Sequence, residues 1–136
     1  MTLLLSTLLP LVACSASATE TEASECVTTK VWDSYADGWR VRTQVAETLA
    51  PGANANHLVT LYAGNTYEVK ACGDASVADL DILIYDTEGA IVARDESTDR
   101  QPSVRYTPSA TRTYYVVTYL RDASAEAGVA MAVVYK

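Results

Sequence analysis

The sequence has few of the residues and none of the short motifs that most enzymes use for catalysis. It has a single histidine, His57, at the start of a predicted strand. It lacks the H-E-x-x-H, G-x-S-x-G and glycine-rich phosphate-loop motifs, which hold a metal, a serine nucleophile or a nucleotide. A pair of carboxylates is enough to hydrolyse a sugar, so a small secreted hydrolase acting through Asp81 stays open as an alternative. The absences favour a protein that is not an enzyme.

Positive charge and phenylalanine are also scarce. Ten basic residues stand against 17 acidic ones, which leaves a net charge of −7 and argues against nucleic acid as a partner. Phenylalanine is absent, whereas tyrosine occurs nine times. Tyrosine combines an apolar ring with a polar tip, so it suits both the rim of a β-sandwich and the stacking of a ligand.

The N-terminal segment predicts export and lipid anchoring. Residues 1–13 carry no charge, and residues 3–12 are nearly all apolar. Ten residues are too few to cross a bilayer as a helix, so they predict the core of a signal peptide. The LVAC that follows resembles the bacterial lipobox, which implies cleavage before Cys14, diacylation of its thiol and an anchored protein of the cell envelope, in the outer membrane, the periplasm or at the cell surface. The alternative is an ordinary signal peptide that happens to precede a cysteine.

The next segment, residues 14–25, is small, polar and acidic. It cannot bury enough apolar area to offset its ordering entropy, so we expect a flexible tether. The folded part is then expected over residues 26–136, which is the size of one domain. With Cys14 lipidated, Cys26 and Cys72 would form a disulfide in an oxidising compartment; the alternative is two buried free thiols.

The folded part predicts an all-β protein. Val27, Val31 and Tyr35 are spaced like one face of a helix, which suggests a short N-terminal helix that ends near Gly38. Seven or eight short strands with turn signals between them follow, which favours an antiparallel β-sandwich. Residues 79–86 (DLDILIYD) are apolar on both faces, so we expect the central strand there.

Several segments of this region resemble the bacterial pre-peptidase C-terminal domain. They are AGNTYEV at residues 63–69, DLD and YD at 79–81 and 85–86, Gly89, and TYYV at 113–116. The resemblance covers about residues 45–135. It implies a β-sandwich of jelly-roll type and, in outline, the accessory role that such domains have in secreted peptidases and other exported enzymes, here as a stand-alone lipoprotein.

Carboxylates crowd the ends of the central strand and the loop that follows. Calcium prefers six to eight oxygen ligands, and clustered aspartates on loops supply them; some collagen-binding relatives of this fold bind calcium. Alternatively, Asp79 and Asp81 cap turns by accepting hydrogen bonds from backbone N–H groups. No cofactor is certain, and calcium is the candidate, with these possible ligands: Asp79, Asp81, Asp86, Asp95 and Asp99.

The N-terminal part also holds a cluster of aromatic and arginine residues. Tryptophan and arginine are the types that dominate binding hot spots, and aromatic faces suit sugar rings. The candidates for ligand binding are Trp32, Tyr35, Trp39, Arg40 and Arg42. The alternative is that Trp32 and Trp39 cover an open end of the sandwich. The sequence therefore predicts a lipid-anchored envelope protein with a non-catalytic binding or structural module, whose partner is an envelope protein or a glycan; the main alternative is a calcium-stabilised accessory domain that binds protein or carbohydrate.

Overall fold

The computed structural model describes residues 18–136, so the predicted signal peptide, Cys14 and the first residues of the predicted tether lie outside the described residues. One helix and eight strands make up the described part. They are α1 Ala18–Ala36, β1 Arg40–Leu49, β2 Asn54–Leu61, β3 Tyr67–Gly73, β4 Val77–Tyr85, β5 Ile91–Asp95, β6 Ser103–Tyr106, β7 Arg112–Ala123 and β8 Ala127–Tyr135.

The strands form two four-stranded antiparallel sheets with the orders β1-β8-β3-β6 and β2-β7-β4-β5. Consecutive strands lie in different sheets, except that β4 and β5 form a hairpin within one sheet. This is the jelly-roll arrangement, and it confirms the predicted all-β sandwich with eight strands and an N-terminal helix.

The core lies between the two sheets. Leu80, Ile82 and Ile84 alternate along β4 and are fully buried, as period-2 alternation requires for the inward face of a strand. They pack with inward residues of the opposite sheet such as Met131 and Val133. The prediction that residues 79–86 belong to a central strand is confirmed, since β4 pairs with both β5 and β7.

The helix is longer than predicted. It includes residues from Ala18 onward. Residues 18–25, for which we expected a flexible tether, are therefore helical. Threonine and valine are poor helix formers, but packing of a buried face outweighs propensity. Ala23 and Val27 are fully buried in a cluster with Ala130 and Ala132 of β8. The polar composition of the segment concealed this one-sided burial.

Two features hold α1 against the β1-β8-β3-β6 sheet. At Gly128 the helix approaches so closely that a Cβ atom would overlap the carbonyl oxygen of Thr19, so only glycine fits there. The Cys26–Cys72 disulfide joins α1 to β3, which confirms the predicted pairing and excludes two free thiols. The outer face of this sheet is therefore covered.

The C-terminal end of α1 lies where the sequence predicted it. The Ser34 carbonyl accepts hydrogen bonds from the backbone N–H groups of Asp37 and Trp39, both at 3.0 Å. Gly38 has φ 90°, the left-handed conformation that commonly ends a helix. As for membrane crossing, none of the helical structure within residues 18–136 combines the length and the hydropathy that a bilayer span needs.

Candidate functional site

Three of the five predicted ligand-binding residues come together beside the helix. Trp32 and Tyr35 of α1 and Arg40 of β1 line a groove of about 500 Å³, which we call the helix–strand groove. The Trp32 and Tyr35 rings meet edge to face, with centroids 5.8 Å apart and planes 81° apart. This is a favoured geometry for aromatic pairs, so the two rings support one another at the surface. The other lining residues are Val31, Val41 and Tyr135.

The groove is unusually apolar for an exposed surface. Trp32 is 65% exposed, Tyr35 59% and Val41 45%. The helical turn explains this, because Val27, Val31 and Ser34 face the sheet and thereby direct Trp32 away from it. Among the described residues, no carboxylate forms a salt bridge with Arg40. The groove therefore offers two large rings and a free cation to a partner.

The other two candidates lie outside this groove. Trp39 is half-buried, packs against the cluster under α1, and carries the Arg105 guanidinium 5.2 Å from its ring centroid. The Arg42 Nε atom donates to the Thr60 carbonyl at 3.4 Å, and a bulge at Val41 interrupts the register of β1 there. Trp39 is therefore half-buried against this cluster, whereas most of the Trp32 side chain is exposed.

The outer face of the β2-β7-β4-β5 sheet forms a second exposed surface. Tyr115, Val117 and Tyr119 alternate along β7, and Leu83 and Tyr85 lie beside them on β4. A shallow groove of about 510 Å³ runs over these side chains and includes Asn54 and Asn56 of β2. We call this surface the tyrosine face. In the described part of the chain no helix packs on it.

Sequence analysis did not single out the tyrosine face. Leu83 and Tyr85 belong to the second apolar face of residues 79–86, and a strand that is apolar on both faces is normally buried on both sides. The signal that could have found it is the alternation of Tyr115, Val117 and Tyr119 in the YYVVTY run. The strands β4 and β7 are neighbours and both carry apolar side chains on their outer side. Because α1 packs on the other sheet, this outer side stays exposed.

Three of the candidate calcium ligands cap turns. Asp86, Asp95 and Asp99 each accept a hydrogen bond from the backbone N–H group two residues later, at 2.9, 3.1 and 2.9 Å. Burial raises the pKa of Asp95, but the hydrogen bonds that Ser97 and the backbone N–H group of Ser103 donate to its carboxylate outweigh burial. The pKa of Asp95 is therefore lowered. These three carboxylates serve as turn caps, a role that the sequence suggested for Asp79 and Asp81 instead.

The remaining two candidates, Asp79 and Asp81, lie together on β4. Asp81 is 2% exposed, and its Oδ2 atom accepts a hydrogen bond from Arg121 Nε at 2.6 Å. The Oδ1 atoms of both aspartates are buried and have no hydrogen-bond partner among the described residues. Burial, followed by the negative charge of Asp81, raises the pKa of Asp79.

The five aspartates do not form one metal site. Asp79 lies in β4 and Asp86 directly follows the end of that strand, so seven residues of extended chain separate them by about 23 Å. Nowhere in residues 18–136 are three histidine, cysteine or acidic side chains placed to hold one ion. Calcium binding stays a prediction, and the pair with unpartnered oxygens, Asp79 and Asp81, is where it would be sought.

The fold of this chain is similar to that of proteins of known structure. No protein-family model matches the chain, and no curated protein matches it either. Among solved structures, the fold is similar to that of PliG from Aeromonas hydrophila, a periplasmic lysozyme inhibitor of g-type lysozyme, with a TM-score of 0.53 and 16% identity. The similarity covers 69% of this chain and 85% of that one, and at this identity it shows that the two chains share a fold.

Proposed function

We propose that the chain is an exported module of the bacterial cell envelope that binds a partner protein through the helix–strand groove and catalyses no reaction. The observation that carries the proposal is the exposure of Trp32 and Tyr35, at 65% and 59%. Clustered large apolar side chains at a surface mark interaction sites. Tryptophan, tyrosine and arginine are also the residue types enriched at binding hot spots.

A protein fits this groove better than a small molecule. The two rings stand out from α1 and are not enclosed, so a partner must bring its own pocket or apolar surface to bury them. Arg40 lies beside them without a salt bridge in the described chain and would pair with a partner carboxylate. Removal of such an anchoring ring weakens the free energy of binding by about 2 kcal/mol or more, which lowers the affinity roughly 30-fold.

A non-catalytic role is supported by how the reactive side chains are engaged. His57 Nε2 lies 2.7 Å from Glu47 Oε1. Asp81, the residue of the hydrolase alternative, is buried and paired with Arg121. A general acid or base must reach a substrate proton, and its burial and its pairing with Arg121 keep Asp81 from doing so. Screening glycan and peptide substrates with an Asp81→Asn variant as control tests the alternative.

Lipid anchoring through Cys14 is part of the proposal. The described part of α1 begins at Ala18, four residues after Cys14. Trp32 lies fourteen residues further along α1, about 21 Å along the helix axis. The helix would thus hold the groove away from the membrane. Metabolic labelling with a fatty-acid analogue should tag the wild type but not Cys14→Ala; label on that variant would refute the anchor.

We also propose that the domain is a stand-alone form of the pre-peptidase C-terminal domain. The jelly-roll topology of residues 40–135 supports this, because it is the fold that the resemblance implies. The calcium-stabilised accessory domain is the alternative within this family. Calcium at millimolar concentration would then raise the melting temperature by binding linkage, and the Asp79→Asn variant should lack that rise. No rise in the wild type would exclude it.

Inhibition of a g-type lysozyme is a second candidate function. The sandwich shares its fold with a periplasmic inhibitor of that enzyme, and the net charge of −7 favours a basic protein as partner. The test is direct: lysis of cell-wall substrate by purified g-type lysozyme, with increasing amounts of the soluble domain. Unchanged lysis at a large molar excess would eliminate this candidate and leave the wider proposal intact.

The experiment for the wider proposal is affinity capture from envelope extract, with the soluble domain from residue 15 onward as bait. We expect wild type to retain a specific protein and Trp32→Ala to lose it. Leu58→Ala is the matched control, because Leu58 is also 65% exposed but lies on the other sheet. The proposal is wrong if Trp32→Ala retains the same protein as wild type.

A further inference from the structure

We propose that the tyrosine face binds a neutral oligosaccharide, at a site separate from the helix–strand groove. The inference stands on the second exposed surface alone and does not depend on the proposed protein partner. Its floor is apolar and its rim is polar, which matches the two-sided chemistry of a sugar ring.

The register of the sheet builds this surface in rows across three strands. Tyr115 of β7 lies between Leu58 of β2 and Tyr85 of β4. The next outward row places Val117 between Asn56 and Leu83. Rows that are two residues apart repeat about every 6.6 Å along the strands. Asn54 and Asn56 therefore lie in successive rows on β2, beside the alternating Tyr115, Val117 and Tyr119 of β7.

The floor of the groove is suited to a flat, weakly polar ring face. Leu83 is 6% exposed and Val117 8%, so both lie at the bottom of the groove. Tyr115 is 39% exposed and offers ring surface above them. Sugar rings with equatorial substituents carry C–H groups on both faces, and these pack on aromatic and aliphatic side chains.

The polar groups of the groove are available for hydrogen bonding. Within the described chain, the side-chain amides of Asn54 and Asn56 have no hydrogen-bond partner, and neither have the hydroxyl groups of Tyr85 and Tyr115. An amide both donates and accepts, and so does a phenolic hydroxyl. A sugar hydroxyl also donates and accepts, so these groups complement a carbohydrate more closely than an apolar surface.

The electrostatics favour a neutral ligand. Arg121 is paired with Asp81 at 2.6 Å and with Glu96 at 3.4 Å, and its guanidinium lies 4.4 Å over the Tyr119 ring. Arg94 is also paired with Glu96, at 3.5 Å. Both arginines on this surface are therefore neutralised, and an anionic ligand would find no free cation. An acidic protein surface would likewise gain little here.

The test is calorimetric titration of the soluble chain with two neutral probes, the hexasaccharides of β-1,4-linked N-acetylglucosamine and of β-1,4-linked glucose. We expect at least one to bind. Tyr115→Ala should then weaken binding by roughly tenfold or more, because it removes the stacking ring. Asn56→Ala, a change at an exposed residue of the same groove, checks the site if Tyr115→Ala folds poorly. Tyr35→Ala is the control and should bind as wild type does.

Several outcomes would overturn the inference. They are the failure of both hexasaccharides to bind at millimolar concentration, binding by the Asn56→Ala variant as tight as by wild type, and tighter binding of an anionic hexamer of galacturonic acid. Self-association that is lost in Tyr115→Ala would show instead that a second copy of the chain occupies the face. None of these results bears on capture through Trp32, so the two sites are tested independently.

Discussion

The disulfide provides the most quantitative prediction for this fold. Cys26 and Cys72 are 46 residues apart in sequence, and the closed loop contains β1, β2 and most of β3. In the chain-entropy model a disulfide that closes a loop of this length lowers the entropy of the unfolded chain. It thereby raises the free energy of unfolding by about 4 kcal/mol. Urea unfolding of small domains has a slope of about 1–3 kcal/mol per molar. Reduction of the disulfide should therefore lower the urea midpoint by roughly 1.3–4 M.

The assay compares oxidised and reduced wild-type protein by tryptophan fluorescence and circular dichroism. Both tryptophans lie between residues 32 and 39, so fluorescence reports on the helix end, whereas circular dichroism near 215 nm reports on the sheets. Reduction keeps both sulfur atoms, whereas an alanine pair also removes buried volume at Cys72, which is 0% exposed. Coincident midpoints in the oxidised and reduced proteins would refute the reasoning. Loss of fluorescence before circular dichroism would show that α1 detaches first.

Three further predictions concern stability. Burial and Asp81 raise the pKa of Asp79, so stability is lost as pH rises through that pKa; Asp79→Asn should raise the melting temperature at pH 7 and change it less at pH 3, and an equal change at both would contradict this. Gly128→Ala forces a side chain into α1 and should cost about 1–3 kcal/mol in urea unfolding, and an unchanged midpoint would show that the helix can shift freely. Trp39→Ala should cost about 2 kcal/mol, below the roughly 3–5 kcal/mol of a fully buried tryptophan, and should leave capture of the partner intact, whereas lost capture with unchanged stability would make Trp39 a binding residue.

The sheets could be predicted because their signals are local. Alternation in β3 and β4, and turns at Gly64 and Gly89, appear directly in the sequence. Both glycines have φ above 80°, as their turns require. The sheet order depends on contacts between distant strands, such as β1 with β8, and came only with the resemblance to a jelly-roll family.

The start of the helix could not be predicted from its own residues. Residues 18–25 are polar except for Ala18 and Ala23, and two small apolar residues five positions apart do not form a helical periodicity. What stabilises this part of α1 is its packing on β8, near the C-terminus. There the small residues Gly128, Ala130 and Ala132 let the helix backbone approach the sheet closely. Such a contact joins residues over 100 positions apart and leaves no local pattern.

The sequence marked candidate residues of the helix–strand groove but not those of the tyrosine face. Residue type alone marks Trp32, Tyr35 and Arg40, because tryptophan, tyrosine and arginine are enriched at binding hot spots. Whether a ring is exposed depends on which sheet face a helix covers. The small residues on the outer side of β8 accept α1, whereas the outer side of β7 carries Tyr115 and Tyr119, which are too bulky for a helix to approach as closely. The choice of side chain on these two strands thus decides both where the helix packs and which face stays open for a ligand.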